Sequence, residues 1–539
     1  MDHGRDHREK ELGSLQRAST AIRLIRKRRT TTRFWCGVLF LVVLSAQGCT
    51  QEPRNSAPTR TTLTIGVPEG IATGELGARQ LSQALSLEGL TQLSADGRVL
   101  PRLADSWRWE NNNRRLRIQL HPGVVAHDGS RLSAATISTA LQKAVSRPAN
   151  RGLYPSLNYV SSIAADGEDL LIDLTEPNAF LPEDLEINLE AGAPDVGTGA
   201  FRVVSTDHSQ TVLQRFEQYR EGSPSIERIV IRPFQTLRTA WTSLLRSELD
   251  MVTDVPPQSV EFISNDDVQV VPFERRYQYV IAFNSSRPPF ISPAVRRALN
   301  AAVNRETLVH GVLQGRGFVS AGPIWPKYWA YDSSFSGYNF DAALASSLLD
   351  SAGLRMPTLA PPSTGPRARF RFTCIVPAGF IEWERIALEV QRNLYNVGVD
   401  MQFRVVNAAE FDALIRERNF QAALINMISG PTPGRAYIFW RSSKHYKGLN
   451  VFGYENAEAE RLFDVLRSAT NETAVRSATR GLQRVFADDP PALFLAWNQR
   501  ARAIRRVFQI PQEPGRDPIY TLLRWTPAQD AAVLRASTP

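Results

Sequence analysis

The side chains able to do acid–base, nucleophilic or metal chemistry are sparse in this chain, and their spacing does not combine them. Five of the seven histidines lie beyond residue 48: His121, His127, His208, His310 and His445. No two stand four residues apart, and no H-E-x-x-H helix pair is present. The three cysteines, Cys36, Cys49 and Cys374, offer no zinc spacing. There is no G-x-S-x-G elbow and no G-x-x-x-x-G-K-[ST] phosphate loop. Gly197-x-Gly199 and Gly315-x-Gly317 lack the third glycine and the acidic follow-up of a dinucleotide site. His127 beside Asp128 has the residue types of a base and its orienter. The carboxylate pairs Asp266-Asp267 and Asp488-Asp489 precede loops or prolines and read as solvated. A chain of 539 residues without a catalytic constellation reads as a binder rather than an enzyme, with no cofactor and no metal.

A binder needs elements that shape a cleft, and the chain is long enough to supply them. It opens with a polar, basic stretch, dense at Arg23, Arg26, Lys27, Arg28, Arg29 and Arg33. An apolar run of about twelve residues follows, Trp35 to Ala46. A spanning helix needs roughly 20, so basic flank, short apolar core and small residues read as a secretory signal over 1–48. The run ends in Ala46-Gln47-Gly48-Cys49, which resembles a lipobox and marks Cys49 as the lipidation site. An uncleaved membrane anchor ending near residue 48 is the alternative reading.

This segment changes the charge argument. Residues 1–48 hold 10 of the 63 Lys+Arg and 4 of the 54 Asp+Glu, so the remainder carries a net charge of only +3. The basic excess of the whole chain is therefore no sign of nucleic-acid binding. Beyond Cys49 only Cys374 remains, so the exported part can form no internal disulfide and must rest on a large core. Residues 49–62 are polar and rich in Pro and Ser and read as a flexible tether.

Order is expected from Leu63 to Val67, an alternating β-branched strand. Arg117–Leu120, Leu170–Leu174 and Ile229–Ile231 also read as strands. Helices are expected over Ser133–Val145 with Ser133 as N-cap, and over Ser292–Gly311, Trp383–Asn396, Ala457–Leu466 and Ala474–Phe486. Strands and helices mix without regular βα alternation. The length suggests two or three subdomains, and Met356 to Arg367 is a Pro-rich surface loop.

Several segments in a fixed order carry a family resemblance. Leu87-Glu88-Gly89-Leu90 precedes Asp96-Gly97-Arg98-Val99-Leu100-Pro101-Arg102-Leu103-Ala104-Asp105-Ser106-Trp107. Leu120-His121-Pro122-Gly123-Val124 leads to His127-Asp128-Gly129, and Gly197-Thr198-Gly199-Ala200-Phe201 to Gln218-Tyr219 and Pro224. Phe283-Asn284, Val295-Arg296-Arg297-Ala298-Leu299 and Asn304-Arg305 complete the series. Each is weak alone. Together, from about residue 63 to 525, they resemble the family 5 extracellular solute-binding proteins of bacterial ABC importers, the peptide, glutathione and nickel class. In that pattern His127 belongs to a turn motif, Gly197 and Gly199 allow a tight turn, and Arg296, Arg297 and Arg305 make surface ion pairs.

The resemblance implies an α/β, two-lobed periplasmic-binding-protein-like fold (type II, cluster C) with a hinge and an extra insert subdomain. Lobe I would be discontinuous, 60–92, 196–285 and 495–530, with the insert at 93–195 and lobe II at 286–494. It implies capture of a small solute, peptide by default, and delivery to an ABC permease in the inner membrane. It further implies a periplasmic or cell-envelope monomer held to the membrane by lipidated Cys49. Cleft candidates are Trp440, Trp325, Tyr279, Asn426, Ser429 and Arg435, with Trp329 and Tyr277 as further aromatics. Family peptide binders place an Asp in an A-D-Y-x-x-P segment, where it meets the peptide amine. The corresponding stretch here, Leu424 to Pro433, puts Met427 or Ser429 in that position. A buried ammonium needs an anionic partner, so a non-peptide solute, anionic or a metal chelate, is the alternative, with Arg435 as a fork donor. A sensor or regulator using this fold, and a secreted hydrolase, are the readings from other classes.

Overall fold

The computed structural model describes residues 61–68, 77–255, 259–358, 367–442, 444 and 449–528. The expected signal, Cys49, nearly all of the tether, His445 and most of the Pro-rich loop lie outside them.

The main sheet has eleven strands. Its order from one edge is Val399–Val406, Phe370–Pro377, Ala422–Ile428, Val268–Phe283, Ala492–Arg505, Met251–Val255, Thr62–Pro68, Arg228–Phe234, Thr211–Arg215 and Phe201–Thr206, with Gly317–Val319 also on Ala492–Arg505. Three strands matter most: β1 (Val268–Phe283), β2 (Ala422–Ile428) and β3 (Ala492–Arg505). β1 and β3 have 16 and 14 residues and run antiparallel from Val268↔Arg505 to Ala282↔Ala492. They are long enough to join both ends of the sheet. Their register breaks between Glu274 and Gln278 and again between Tyr279 and Val280.

The Phe370–Pro377 end of the sheet is buried on both faces. Tyr279, Ile281 and Phe283 pack into one cluster with Val295, Leu299 and Val390. Val280 and Ala282 pack into another with Trp325, Trp440, Phe463 and Phe494. Burial on both sides is why this part of β1 is an unbroken apolar run rather than an alternating one. At the other end Leu63, Ile65, Ile229 and Met251 build a separate cluster with Trp525. A four-stranded antiparallel sheet, in the order Ala104–Glu110, Arg115–Leu120, Asp169–Leu174 and Val160–Asp166, has a core of its own. Helix Ala134–Ser146 packs on it, and the Ser133 hydroxyl accepts the Thr136 N–H as expected of an N-cap.

Three readings of the sequence are corrected here. The helix expected over Ser292–Gly311 is broken into Pro293–Ala301, Arg305–Thr307 and a wide turn at Leu308–Val312. Asn304 stops and restarts the chain, its side chain accepting the Thr307 N–H. Arg296 and Arg305 are not surface residues; each is only 3% exposed. Arg305 donates to the carbonyls of Phe494, Asn300 and Val303, and Arg296 to that of Pro490 while pairing with Asp489. They satisfy carbonyls at the start of β3, so Asp489 is not solvated, whereas Arg297 and Asp488 stay outside. Gly197 and Gly199 are required by close approach, since a Cβ would lie 2.0 Å from the Ser86 carbonyl at Gly197 and 2.7 Å from that of Leu85 at Gly199.

Candidate binding site

His127 and Asp128 each bond the backbone around them rather than one another. His127 Nδ1 accepts the Gly197 N–H at 3.2 Å, which leaves Nε2 as donor to the Gly199 carbonyl at 2.9 Å. Burial lowers its pKa, so the ring is neutral and ties the small-sheet region to the Gly197–Gly199 crossing. Asp128 instead accepts from Ser130 within the turn.

Five segments converge on a partly open hollow bordered by the half-buried side chains of Glu183, Glu186, Arg276 and Arg435. The first is the turn Ser94–Arg98, held by Gly97 at φ +77°. Its carbonyls are taken up by far parts of the chain. Arg276 Nη2 donates to Ser94 at 3.0 Å, the Trp325 indole to Ala95 at 3.3 Å, and the Trp329 N–H to Asp96 at 3.0 Å. Arg98 pairs with Glu472 at 2.9 Å and lies 4.6 Å over the Trp329 ring. A Cβ on Gly97 would meet the Pro431 carbonyl at 2.7 Å.

The second and third segments face each other. Glu183 accepts the Thr432 hydroxyl at 3.0 Å, at the N-terminus of helix Pro433–Trp440, where the helix dipole favours a carboxylate. Arg435 donates to the Leu153 carbonyl, stands 3.7 Å from Glu186 and lies 5.6 Å over Tyr154. Tyr159 and Tyr437 share a hydrogen bond at 3.2 Å, and Arg467 donates to the Pro177 carbonyl at 2.8 Å.

The fourth segment is the part of β1 around Arg276. Between Glu274 and Gln278 the pairing with β3 lapses, and such an irregularity can re-aim a side chain. The Arg276 carbonyl accepts from Ser429 N at 2.9 Å and Gly430 N at 3.1 Å, fixing the backbone while the guanidinium extends to Ser94. The fifth is the Asp517–Tyr520 region. Tyr520 is 58% exposed, yet burial raises its pKa. The charges of Arg276 and Glu186 act on Tyr520, which sets it at the border of the hollow.

The electrostatics of this hollow are mixed. Burial pushes Glu183 well up, and Asp184 next to it reinforces the rise. Asp184 is pushed up to about 7 by burial, against its bond from Ser156 and the field of Arg435. Burial also raises Glu186, opposed by Arg435, Arg276 and Arg102. Arg276 is pulled down by burial, with Glu186 and Tyr520 opposing.

The residues expected from sequence fall into two groups. Ser429, Arg435 and Trp325 border the hollow. Ser429 is 2% exposed, and its hydroxyl turns back to the Met427 carbonyl. Trp325 packs edge-on to Trp497 at 4.7 Å. Trp440, Tyr279 and Asn426 lie elsewhere. Trp440 is 1% exposed among Phe452, Tyr454 and Phe494. Tyr279 is on the opposite face of the sheet, bonded to Glu382 and Asn498, with Asn426 beside it in register. Trp329 stacks under Arg98 and Arg476, and Tyr277 under Arg275. Reading the sequence missed Arg276, Glu183, Glu186 and Tyr520. An arginine inside a strand and two glutamates three apart were the available signals; Tyr520 carries none.

Comparison with known proteins bears on this architecture. A family model described as bacterial extracellular solute-binding proteins, family 5 Middle, matches residues 98–448. The oligopeptide-binding protein AppA of Bacillus subtilis is 23% identical over 93% of this chain and 99% of its own. The glutathione-binding protein GsiB of Pectobacterium atrosepticum is 28% identical over 76% of this chain and 82% of its own. The crystal structure of NikA from Brucella suis in complex with Fe(III)-EDTA superposes with a TM-score of 0.74, at 21% identity, over 87% of this chain and all of that one. The fold is thus the two-lobed one of periplasmic binding proteins. With its long joining strands and this match over most of its length, the chain belongs to the bacterial extracellular solute-binding proteins, family 5.

Proposed function

We propose that the protein captures a peptide or related small solute in the hollow around Arg276 and delivers it to an ABC permease. The observation that carries this reading is the convergence of five separate segments on one polar, partly open hollow. In this reading lobe I is 60–92, 196–285 and 495–530, the insert is 93–195, and lobe II is 286–494. β1 and β3 are the hinge strands. Solute touching both lobes favours the closed arrangement by its differential affinity for it. The names of the relatives, binders of oligopeptide and of glutathione, support a peptide-like cargo.

We read residues 1–48 as a removable export signal and Cys49 as the lipid anchor, with 49–62 as tether and the body a monomer in the cell envelope. Fractionation of cells making the full chain tests this part. Wild type is expected with membranes and the Cys49→Ala variant released from them or left unprocessed. Soluble cytosolic wild-type protein would sink the export reading.

A further inference from the structure

The hollow holds several cations, and all but one are committed. Arg98 is paired with Glu472, Arg102 with Glu88 at 3.0 Å, and Arg516 with Glu513 at 2.7 Å. Arg435 is shared between the Leu153 carbonyl and Glu186. Arg276 differs. Of its five donors, one meets the Ser94 carbonyl, and no carboxylate lies within 4 Å of it among the described residues. The acids nearby are held by the protein. Glu183 accepts the Thr432 hydroxyl, and Asp184 accepts the Ser156 N–H at 2.8 Å. Arg276 also stands at the break in β1 pairing, next to the backbone of Ser429 and Gly430.

A half-buried guanidinium with spare donors is a fork for a planar or tetrahedral oxyanion. The stretch Leu424–Pro433 supplies no carboxylate to hold an ammonium. We infer that Arg276 anchors a carboxylate or other oxyanion of the captured solute, so that this protein selects anionic solutes. The inference rests on the solute-binding reading above. The anion can be a peptide carboxylate, an organic acid or a phosphoryl group, all of which present the same fork-accepting oxygens. Held on a hinge strand, the anchor would sense cargo at the place where the lobes pivot.

The test uses the intact protein and the small-molecule fraction of yeast extract. Wild type, Arg276→Gln and Arg276→Lys are stripped of solute, incubated with the extract and desalted. Solutes released on denaturation are then identified by mass spectrometry. The expected result is a bound set that carries carboxylate or phosphoryl groups, their identities separating the three sources. Retention by R276Q should fall about thirtyfold, the loss of one desolvated charge pair, and R276K should keep part of it. A bound set without carboxylate or phosphoryl groups overturns the inference while the solute-binding reading stands, even if R276Q fails to fold. An anionic set retained equally by folded R276Q also overturns it. No bound solute on wild type rejects the solute-binding reading itself.

Discussion

Two residues show how much turns on single side chains. Glu88 is fully buried, and burial alone would raise its pKa, yet Arg102 and Arg220 bring it below its ordinary value. Thr198 and Tyr219 complete its bonds. Glu88→Gln leaves two guanidiniums short of a counter-charge and should cost about 3 kcal/mol, read as a lower denaturation midpoint in guanidinium chloride; an unchanged midpoint would contradict it. His127 gives a pH signature. Its folded pKa lies below the ordinary 6.5, so the unfolded chain takes up the proton first as pH falls. Its contribution is present above pH 6.5 and lost as pH drops through and below that value. Asp184 acts in the opposite sense, because a carboxyl raised to about 7 favours the folded state at lower pH. The two separate in a difference measurement. His127→Gln should flatten the fall in melting temperature between about pH 7.5 and about pH 5 relative to wild type, and equal slopes would refute the assignment. The motif around His127 was visible in sequence, and so was its structural role. The burial of Arg296 and Arg305 was not legible, because the β3-end carbonyls that draw them in, Pro490 and Phe494, lie some 190 positions away.

At the scale of elements, periodicity and caps carried well. Helices expected at Ala457–Leu466 and Ala474–Phe486 are found at Ala457–Arg467 and Glu472–Asp488, each with an Asn cap. The failure at Ser292–Gly311 has a local cause. A continuous apolar pattern does not reveal a cap in its middle, yet Asn304 supplies one. The Ser94–Arg98 turn is the element on which the hollow most depends, and Asp96-Gly97 is a turn-forming pair whose contacts no local pattern shows. Gly97→Ala tests it. A left-handed residue costs an alanine about 1–2 kcal/mol, and its Cβ would press on Pro431 and Tyr328. Solute affinity in calorimetric titration should fall at least about tenfold while the four-stranded sheet keeps its amide protection. Unchanged affinity would show that the turn does not shape the site. Arg467→Ala should speed amide exchange at Ala179, whose N–H is held by the Arg467 carbonyl at 2.6 Å on a segment the arginine side chain also pins at Pro177.

For the molecule as a whole, the pattern of short motifs pointed to the fold, but the strand order did not follow from any local signal. Thr62–Pro68, Arg228–Phe234 and Met251–Val255 are adjacent in one sheet although far apart in sequence. Beyond residue 48 the chain carries a net charge of only +3, and the described residues rest on five hydrophobic clusters rather than on disulfides. The candidate site was only half legible because it is assembled from segments spanning residues 94 to 520. Residues such as Tyr520 become neighbours of Arg276 only through that strand order. The central claim is that this assembled hollow holds a small solute. Native mass spectrometry of the intact purified protein tests it most directly. The account predicts a one-to-one adduct of small-molecule mass that is lost on denaturation. A purified protein that carries no adduct, and gains none after incubation with a small-molecule extract, would contradict it.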